Sequence, residues 1–246
     1  MDDLLGEFKQ GIQAVLGSKL HAAYIHGGAA VDDSLPTGDV DFHVILKEHL
    51  TDIEKKELDN LHKELARKYP PLGVGMDGYY ITLEDARRRT PPRSEMWQCA
   101  IDNAWALHRE HIRAGRYITL YGGDPREIYP PSDWHEIEEA LLDELRYVKA
   151  HLDEYPDYCI LNLCRLIYSF QTRNVVISKA EASEWAMDGI PEWRWLVELA
   201  RKSYQKAATS HDRTIMLSEV GNFFEYANTQ IDRVRQRDLN DSSKQN

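Results

Sequence analysis

Leu20-His21-Ala22-Ala23-Tyr24-Ile25-His26-Gly27-Gly28-Ala29-Ala30, and after a short loop Asp39-Val40-Asp41-Phe42-His43-Val44-Ile45-Leu46, is the stretch whose reading decides the fold. Both apolar runs have the length and composition of strands, while Asp32 to Gly38 is rich in Asp, Ser, Pro and Gly and reads as a turn. In the second run Val40, Phe42, Val44 and Leu46 face one way, and Asp39, Asp41 and His43 face the other. A glycine pair at the end of a strand lets the backbone approach a phosphate and aim N–H groups at it. Two carboxylates at i and i+2 share one face and make an oxygen-rich cradle for Mg²⁺, an ion that usually also coordinates substrate phosphates. Carboxylates in an otherwise apolar strand need such a reason, because burying them unpaired is costly. A third strand, Gly75 to Thr82, carries Asp77, Tyr79 and Ile81 on one face, and Asp77 is the candidate third acid. A lone Asp-x-Asp is common in solvated turns. The ordered set of strand, Gly-Gly, loop, Asp-x-Asp and a further acidic strand is much more specific, and it points to nucleotidyl transfer.

Working outward, Leu4, Leu5, Phe8, Ile12, Val15 and Leu16 have helical spacing. Thr51 with Glu54 forms a capping box that opens a charged helix, which Pro70-Pro71 stops. Tyr117 to Tyr121 reads as a fourth short strand. The first half is therefore an α/β (α+β) domain, a small mixed sheet flanked by helices. Tyr129-Pro130-Pro131-Ser132 breaks the pattern, and almost everything after it reads as helix: a segment capped by Asp133 and Glu136 and running through His151, a segment from Tyr158 to Phe170, one opened by the capping box Ser178–Glu181, one opened by Pro191, and a long last one from Ile215 to Val234. The expected organisation is a nucleotidyltransferase domain over 1–130 and an α-helical bundle domain over 131–246, with a frayed polar tail from Asn240.

Composition narrows the partners. The 246 residues carry 41 Asp plus Glu against 30 Lys plus Arg, a formal net charge of −11 that repels nucleic acid and attracts a small cationic ligand. No apolar run is long enough to span a bilayer, and the acidic start Met1-Asp2-Asp3 does not resemble a secretory signal, so a cytoplasmic protein without membrane contact, working as a monomer, is expected. Cys99, Cys159 and Cys164 are odd in number and lack C-x-x-C spacing, which argues against a disulfide framework and against a cysteine zinc site. His108 and His111 have helical metal-ligand spacing but no third ligand nearby in sequence, so zinc is not expected.

These motifs resemble the nucleotidyltransferase signature and, more narrowly, the aminoglycoside (3'')(9)-adenylyltransferases, the streptomycin and spectinomycin resistance enzymes. The resemblance covers nearly the whole chain. It rests on Gly27-Gly28-Ala29 and Asp39-Val40-Asp41, on Leu120-Tyr121-Gly122-Gly123-Asp124-Pro125, and most specifically on the C-terminal matches Asn162-Leu163-Cys164-Arg165-Leu166-Ile167-Tyr168-Ser169, Ser178-Lys179, Glu184-Trp185-Ala186-Met187 and Ala200-Arg201-Lys202-Ser203-Tyr204. It implies a Mg²⁺-dependent transfer of AMP from ATP to a hydroxyl of an aminoglycoside or aminocyclitol, with release of pyrophosphate. It implies Asp39 and Asp41 as metal ligands and Asp77 as the base that takes the hydroxyl proton. Gly27 and Gly28 would lie at the phosphates, Arg165 and Lys179 would contact them from the helical domain, and Tyr204 would pack near adenine, with the nucleotide between the domains.

Three departures from the family pattern are visible. Gly28 stands where serine is usual, and Asp77 is one methylene shorter than the family's glutamate. The family's streptomycin-selecting acid has no single counterpart: counting back from Arg165 gives Tyr155, with Asp153, Glu154, Asp157 and Tyr158 crowding the same loop. Trp97 corresponds to the aromatic partner of that drug. Plainer roles stay open beside these: a structural ion pair for Arg165, a first-turn surface lysine for Lys179, a core position for Tyr204, and a solvated patch for Arg87-Arg88-Arg89. Two other functions share the motif, transfer to a different small or protein acceptor and nucleotide binding without turnover.

Overall fold

The computed structural model describes residues 1–31, 38–97 and 104–243, with side chains to 237. Residues 32–37 of the expected turn, Cys99 and the end of the polar tail lie outside the described residues. Those up to 136 form one compact unit and those from 137 a second.

In the first unit the strands β1 (Leu20–His26), β2 (Val40–Leu46), β3 (Met76–Thr82) and β4 (Ile118–Tyr121) form a sheet of order β3-β2-β1-β4. β1 runs antiparallel to both β2 and β4, while β2 and β3 are parallel. A parallel pair needs a crossover. Here the connection carries α2 (Asp52–Lys68), opened by the capping box: Glu54 N donates to Thr51 Oγ1 at 3.3 Å and Thr51 N donates to Glu54 Oε2 at 2.7 Å.

Both faces of the sheet are covered, which is why β1 and β2 are nearly continuous apolar runs. On one face α1 (Asp2–Leu16) lays down Leu4, Leu5, Phe8, Ile12 and Leu16 together with Leu58 and Leu65 of α2 over Val40, Phe42, Val44, Leu46 and Tyr80. On the other, Trp105 and Ile112 of α4 (Trp105–Arg113), with Ile128 and Tyr129, cover Ala22, Tyr24, Ile45 and Ile81. A one-turn helix, α3 (Leu83–Ala86), follows β3. The fully buried Arg109 on α4 is held by Glu136 at 3.0 Å and by the Pro130 carbonyl at 3.1 Å. Arg88 pairs with Glu84 and Asp85, and Arg89 with Asp133 and Glu136, so two members of the expected basic patch are engaged in ion pairs.

The second unit is helical. The boundary falls inside α5 (Trp134–Ala150), whose start is fixed by reciprocal bonds between Asp133 and Glu136. α6 (Pro156–Thr172) is buried on most sides, and α7 (Lys179–Gly189), α8 (Arg194–Tyr204) and α9 (Ser210–Ser243) pack against it. A helix covered all round must be apolar all round, and α6 buries Cys159 through Cys164, Leu166, Ile167 and Phe170. The expected capping box opens α7 through Ser178 and Glu181. Pro191 begins a 3-10 turn, Pro191–Trp193, and α8 follows at Arg194. α9 is longer at both ends than the spacing of its apolar residues suggests; it is capped by Thr209 with Asp212, whose carboxylate also accepts from Lys202 at 2.7 Å. Cys159 and Cys164 are buried free thiols. No helix among the described residues is long and apolar enough to cross a membrane.

Candidate active site

In the first unit the register of the sheet brings the expected carboxylates together. His26 is opposite Asp41 across β1 and β2, and Asp41 is opposite Asp77 across β2 and β3. The three therefore lie in one row on the same sheet face. Asp39 stands one step outside β2, two residues before Asp41, and is exposed, as is Asp77; Asp41 is half-buried. Gly27 turns the chain immediately after His26 in a left-handed conformation, φ 66°. A Cβ at Gly27 would lie 1.8 Å from Asp41 Oδ2, so the carboxylate rests directly against the glycine backbone. Gly78 has a parallel role: a Cβ there would meet the Phe42 carbonyl at 2.2 Å, so glycine lets β3 close on β2 next to Asp77.

The donor set suits a hard divalent cation. Asp41 and Asp77 are register partners on adjacent parallel strands, Asp39 stands at the mouth of β2, and a side chain at Gly27 would fill the space beside the Asp41 carboxylate. Asp39 and Asp41 are the residues that would hold Mg²⁺, with Asp77 beside Asp41 on the next strand.

His26 of this row also belongs to a cluster of imidazoles. His26 and His43 are buried, and His108 reaches them from α4; the ring centroids are 4.4 Å apart for His26 and His43, 4.8 Å for His26 and His108, and 5.4 Å for His43 and His108. His43 places Nδ1 3.1 Å from the Tyr129 hydroxyl and Nε2 3.3 Å from His108 Nδ1. Burial first, and then the neighbouring imidazoles, hold His26 and His43 well below the usual histidine range, so both rings are neutral near pH 7.

The helical unit carries its own group of expected site residues. Tyr158, Asn162 and Arg165 occupy positions i, i+4 and i+7 of α6 and share a face. Asn162 Nδ2 donates to Glu144 Oε2 at 2.8 Å, and Arg165 Nη1 lies 3.5 Å from Asn162 Oδ1. Lys179, first residue of α7, holds its ammonium 4.4 Å from the centre of the Tyr158 ring and 5.6 Å from that of Tyr204. Burial and the nearby Glu144 push the Tyr158 phenol upward, so it stays protonated. Asp157 Oδ2 accepts from the Ser203 hydroxyl at 2.6 Å.

The structure thus gathers Lys179, Tyr204 and Tyr158 at one place, and Arg165 joins them through Asn162. Tyr204 is half-buried and presents a ring face to a cation. Asp153 and Glu154 are exposed in the turn before α6, where the Glu154 carbonyl accepts from Arg213 at 3.1 Å. Trp97 lies elsewhere. It packs its ring against His62 at 5.1 Å and Tyr80 at 6.1 Å, and Tyr80 belongs to the sheet face opposite Asp41 and Asp77. Sequence reasoning passed over Asn162 and Glu144, although a buried amide on an apolar helix needs a polar partner. It also passed over His26 and His43 as members of a cluster.

Comparison with known proteins bears on the same residues. Residues 127–230 match the family model described as aminoglycoside adenylyltransferase, C-terminal domain. The chain is 23% identical to a spectinomycin 9-adenylyltransferase of Enterococcus faecalis over 221 residues, covering 81% of this chain and 86% of the relative. It is 21% identical to one of Campylobacter jejuni over 246 residues, covering 90% and 92%. Among solved structures it is similar to a spectinomycin adenyltransferase from Enterococcus crystallised with ATP and spectinomycin, with a TM-score of 0.73, 20% identity, and coverage of 92% of this chain and 99% of that one.

Proposed function

We propose that this chain, a member of the aminoglycoside adenylyltransferase family, transfers AMP from ATP to a hydroxyl of spectinomycin or a closely related aminocyclitol and releases pyrophosphate. The observation that carries the proposal is the in-register pair Asp41 and Asp77 with Gly27 against the Asp41 carboxylate. Bound Mg²⁺ would neutralise charge on the phosphates and on the transition state. Asp39 and Asp41 would hold it. Asp77 would accept the proton of the acceptor hydroxyl, whose oxygen then bonds to the α-phosphorus as the bond from that phosphorus to the leaving pyrophosphate breaks. An aspartate is shorter than the glutamate of the resembling family, so Asp77 reaches its proton only with acceptor bound close.

In the helical unit Lys179 and Arg165 would bind phosphate oxygens, and Tyr158 and Tyr204 set the height and direction of the lysine. Tyr204 offers its remaining surface to adenine. The acidic residues Asp153, Glu154 and Asp157 suit the ammonium groups of a cationic acceptor, in keeping with the net charge of −11. Spectinomycin is favoured over streptomycin because the named relatives act on it and because Trp97 sits on the sheet face away from the acids. The test is a panel of aminoglycosides incubated with ATP and Mg²⁺, read by mass spectrometry. Addition of one AMP to spectinomycin supports the assignment. Addition to streptomycin alone moves the acceptor, and no addition to any member of the panel refutes the reading.

A further inference from the structure

We propose that His26, His43 and His108 form a binding site for a late first-row divalent metal ion of the zinc type, separate from the carboxylates and independent of the reading as an AMP transferase. The three imidazoles come from β1, β2 and α4, and one nitrogen of each lies within 4.8 Å of the other two. A tetrahedral ion with bonds of about 2.0–2.1 Å holds its nitrogen ligands about 3.3 Å apart. His43 Nε2 and His108 Nδ1 are already 3.3 Å apart.

A simple hydrogen bond would account for that one pair. It leaves His26 Nε2 with no partner among the described residues, in a side chain only 4% exposed. A buried ring nitrogen without a partner is costly, and an ion that takes His26 Nε2 with one nitrogen from each of the other two rings would remove the cost. The fit extends beyond the ligands. His43 Nδ1 lies 3.1 Å from the Tyr129 hydroxyl, the kind of outer contact that fixes the tautomer and aims the other nitrogen at a metal. His111, three residues after His108 on α4, is not in the cluster; the partners are supplied by strands far away in sequence.

Imidazole nitrogen selects zinc, cobalt, nickel or copper, whereas magnesium prefers oxygen. The two sites would therefore take different ions although His26 and Asp41 are register partners. Three protein ligands leave a fourth position for water, and His108, the half-exposed member, marks the side of entry. A bound ion would tie β1, β2 and α4 together at the end of the sheet where Gly27 positions Asp41.

Cobalt(II) is the probe, because its visible d–d absorption reports four-coordinate binding without reference to activity. Metal-stripped protein titrated with cobalt chloride should develop that absorption with one ion per chain, and zinc should bleach it by displacement. His108→Ala, a change at a half-exposed position, should abolish the band. Tyr129→Phe should weaken cobalt binding about 10–100-fold, as loss of an outer partner does. Asp41→Asn should retain the band, which separates this site from the carboxylates. The proposal is overturned if the wild-type protein shows no such absorption, if the band survives His108→Ala, or if it disappears in Asp41→Asn. The wild-type titration alone decides the matter should a variant fail to fold.

Discussion

Alanine at position 27 is a small change that the geometry makes severe. Gly27 sits at φ 66°, where an L-residue with a Cβ costs about 1–2 kcal/mol. The added carbon would stand 1.8 Å from Asp41 Oδ2 and 2.8 Å from its Cγ, against an ordinary contact of 3.4 Å or more. The turn is pinned by β1 on one side, so the carboxylate must withdraw, by more than about 1 Å, and a displacement of that size at a reacting centre can lower rate about 100-fold. Gly27→Ala should therefore keep its fold by circular dichroism, lose about 1–2 kcal/mol of stability in denaturant unfolding, and release pyrophosphate from ATP and spectinomycin about 100-fold more slowly at saturating substrates. Gly28→Ser is the matched control. It changes an exposed neighbour to the residue usual in the resembling family, and it should retain transfer. A folded Gly27→Ala enzyme within about twofold of the wild-type rate would show that the position of Asp41 against this backbone does not matter to the chemistry, and the reasoning from the cradle would be wrong.

Three further outcomes follow from the same structure. Lys179→Ala removes the ammonium held over Tyr158 and Tyr204; steady-state kinetics should show the KM for ATP raised about tenfold with kcat little changed, and an unaltered KM would return Lys179 to a surface role. Burial lowers the His62 pKa to about 4, while the unfolded chain titrates near the ordinary histidine value of about 6.5. The unfolded state then binds the extra proton first, so this contribution is complete above about pH 6.5 and is lost as pH falls through about 4, at up to about 1.4 kcal/mol per pH unit. Unfolding measured at pH 7, 6 and 5 should show a shallower decline in His62→Gln than in wild type; parallel declines would contradict the assignment. Arg109→Leu removes a buried guanidinium together with its bonds to Glu136, which keeps Arg89, and to the Pro130 carbonyl, and denaturant unfolding should show a loss of about 3 kcal/mol; a loss under about 1 kcal/mol would mean the ion pair contributes little.

Local chemistry made much of the fold legible. β1 and β2 begin and end where their apolar runs do, because both faces are covered and the runs are uninterrupted. The two capping boxes mark the starts of α2 and α7 because each uses residues three apart. The alternation along β2 put Asp39, Asp41 and His43 on one face and Val40, Phe42, Val44 and Leu46 on the other, and the two packed layers divide in that way. What could not be read depends on long-range packing. His43 and His108 meet across 65 residues, and only the docking of α4 brings them together. The spacing of His108 and His111 pointed to a pair on one helix, whereas the cluster takes one residue from that helix and two from the sheet. Trp97 shows the same limit. Its place beside His62 and Tyr80 is set by which sheet face the chain returns to after β3, and no local pattern records that. In the helical unit the spacing of Tyr158, Asn162 and Arg165 along α6 was available, but the contact of Lys179 with two tyrosine rings depends on how α7 and α8 pack on that helix.

The central claim is that the in-register carboxylates of β2 and β3 carry AMP transfer. Pyrophosphate release from ATP and Mg²⁺ in the presence of spectinomycin, compared between the wild-type chain and Asp41→Asn, tests it most directly. The account predicts release by the wild type that depends on the drug, and release at the blank level from a folded Asp41→Asn protein. Release by Asp41→Asn at the wild-type rate would contradict it.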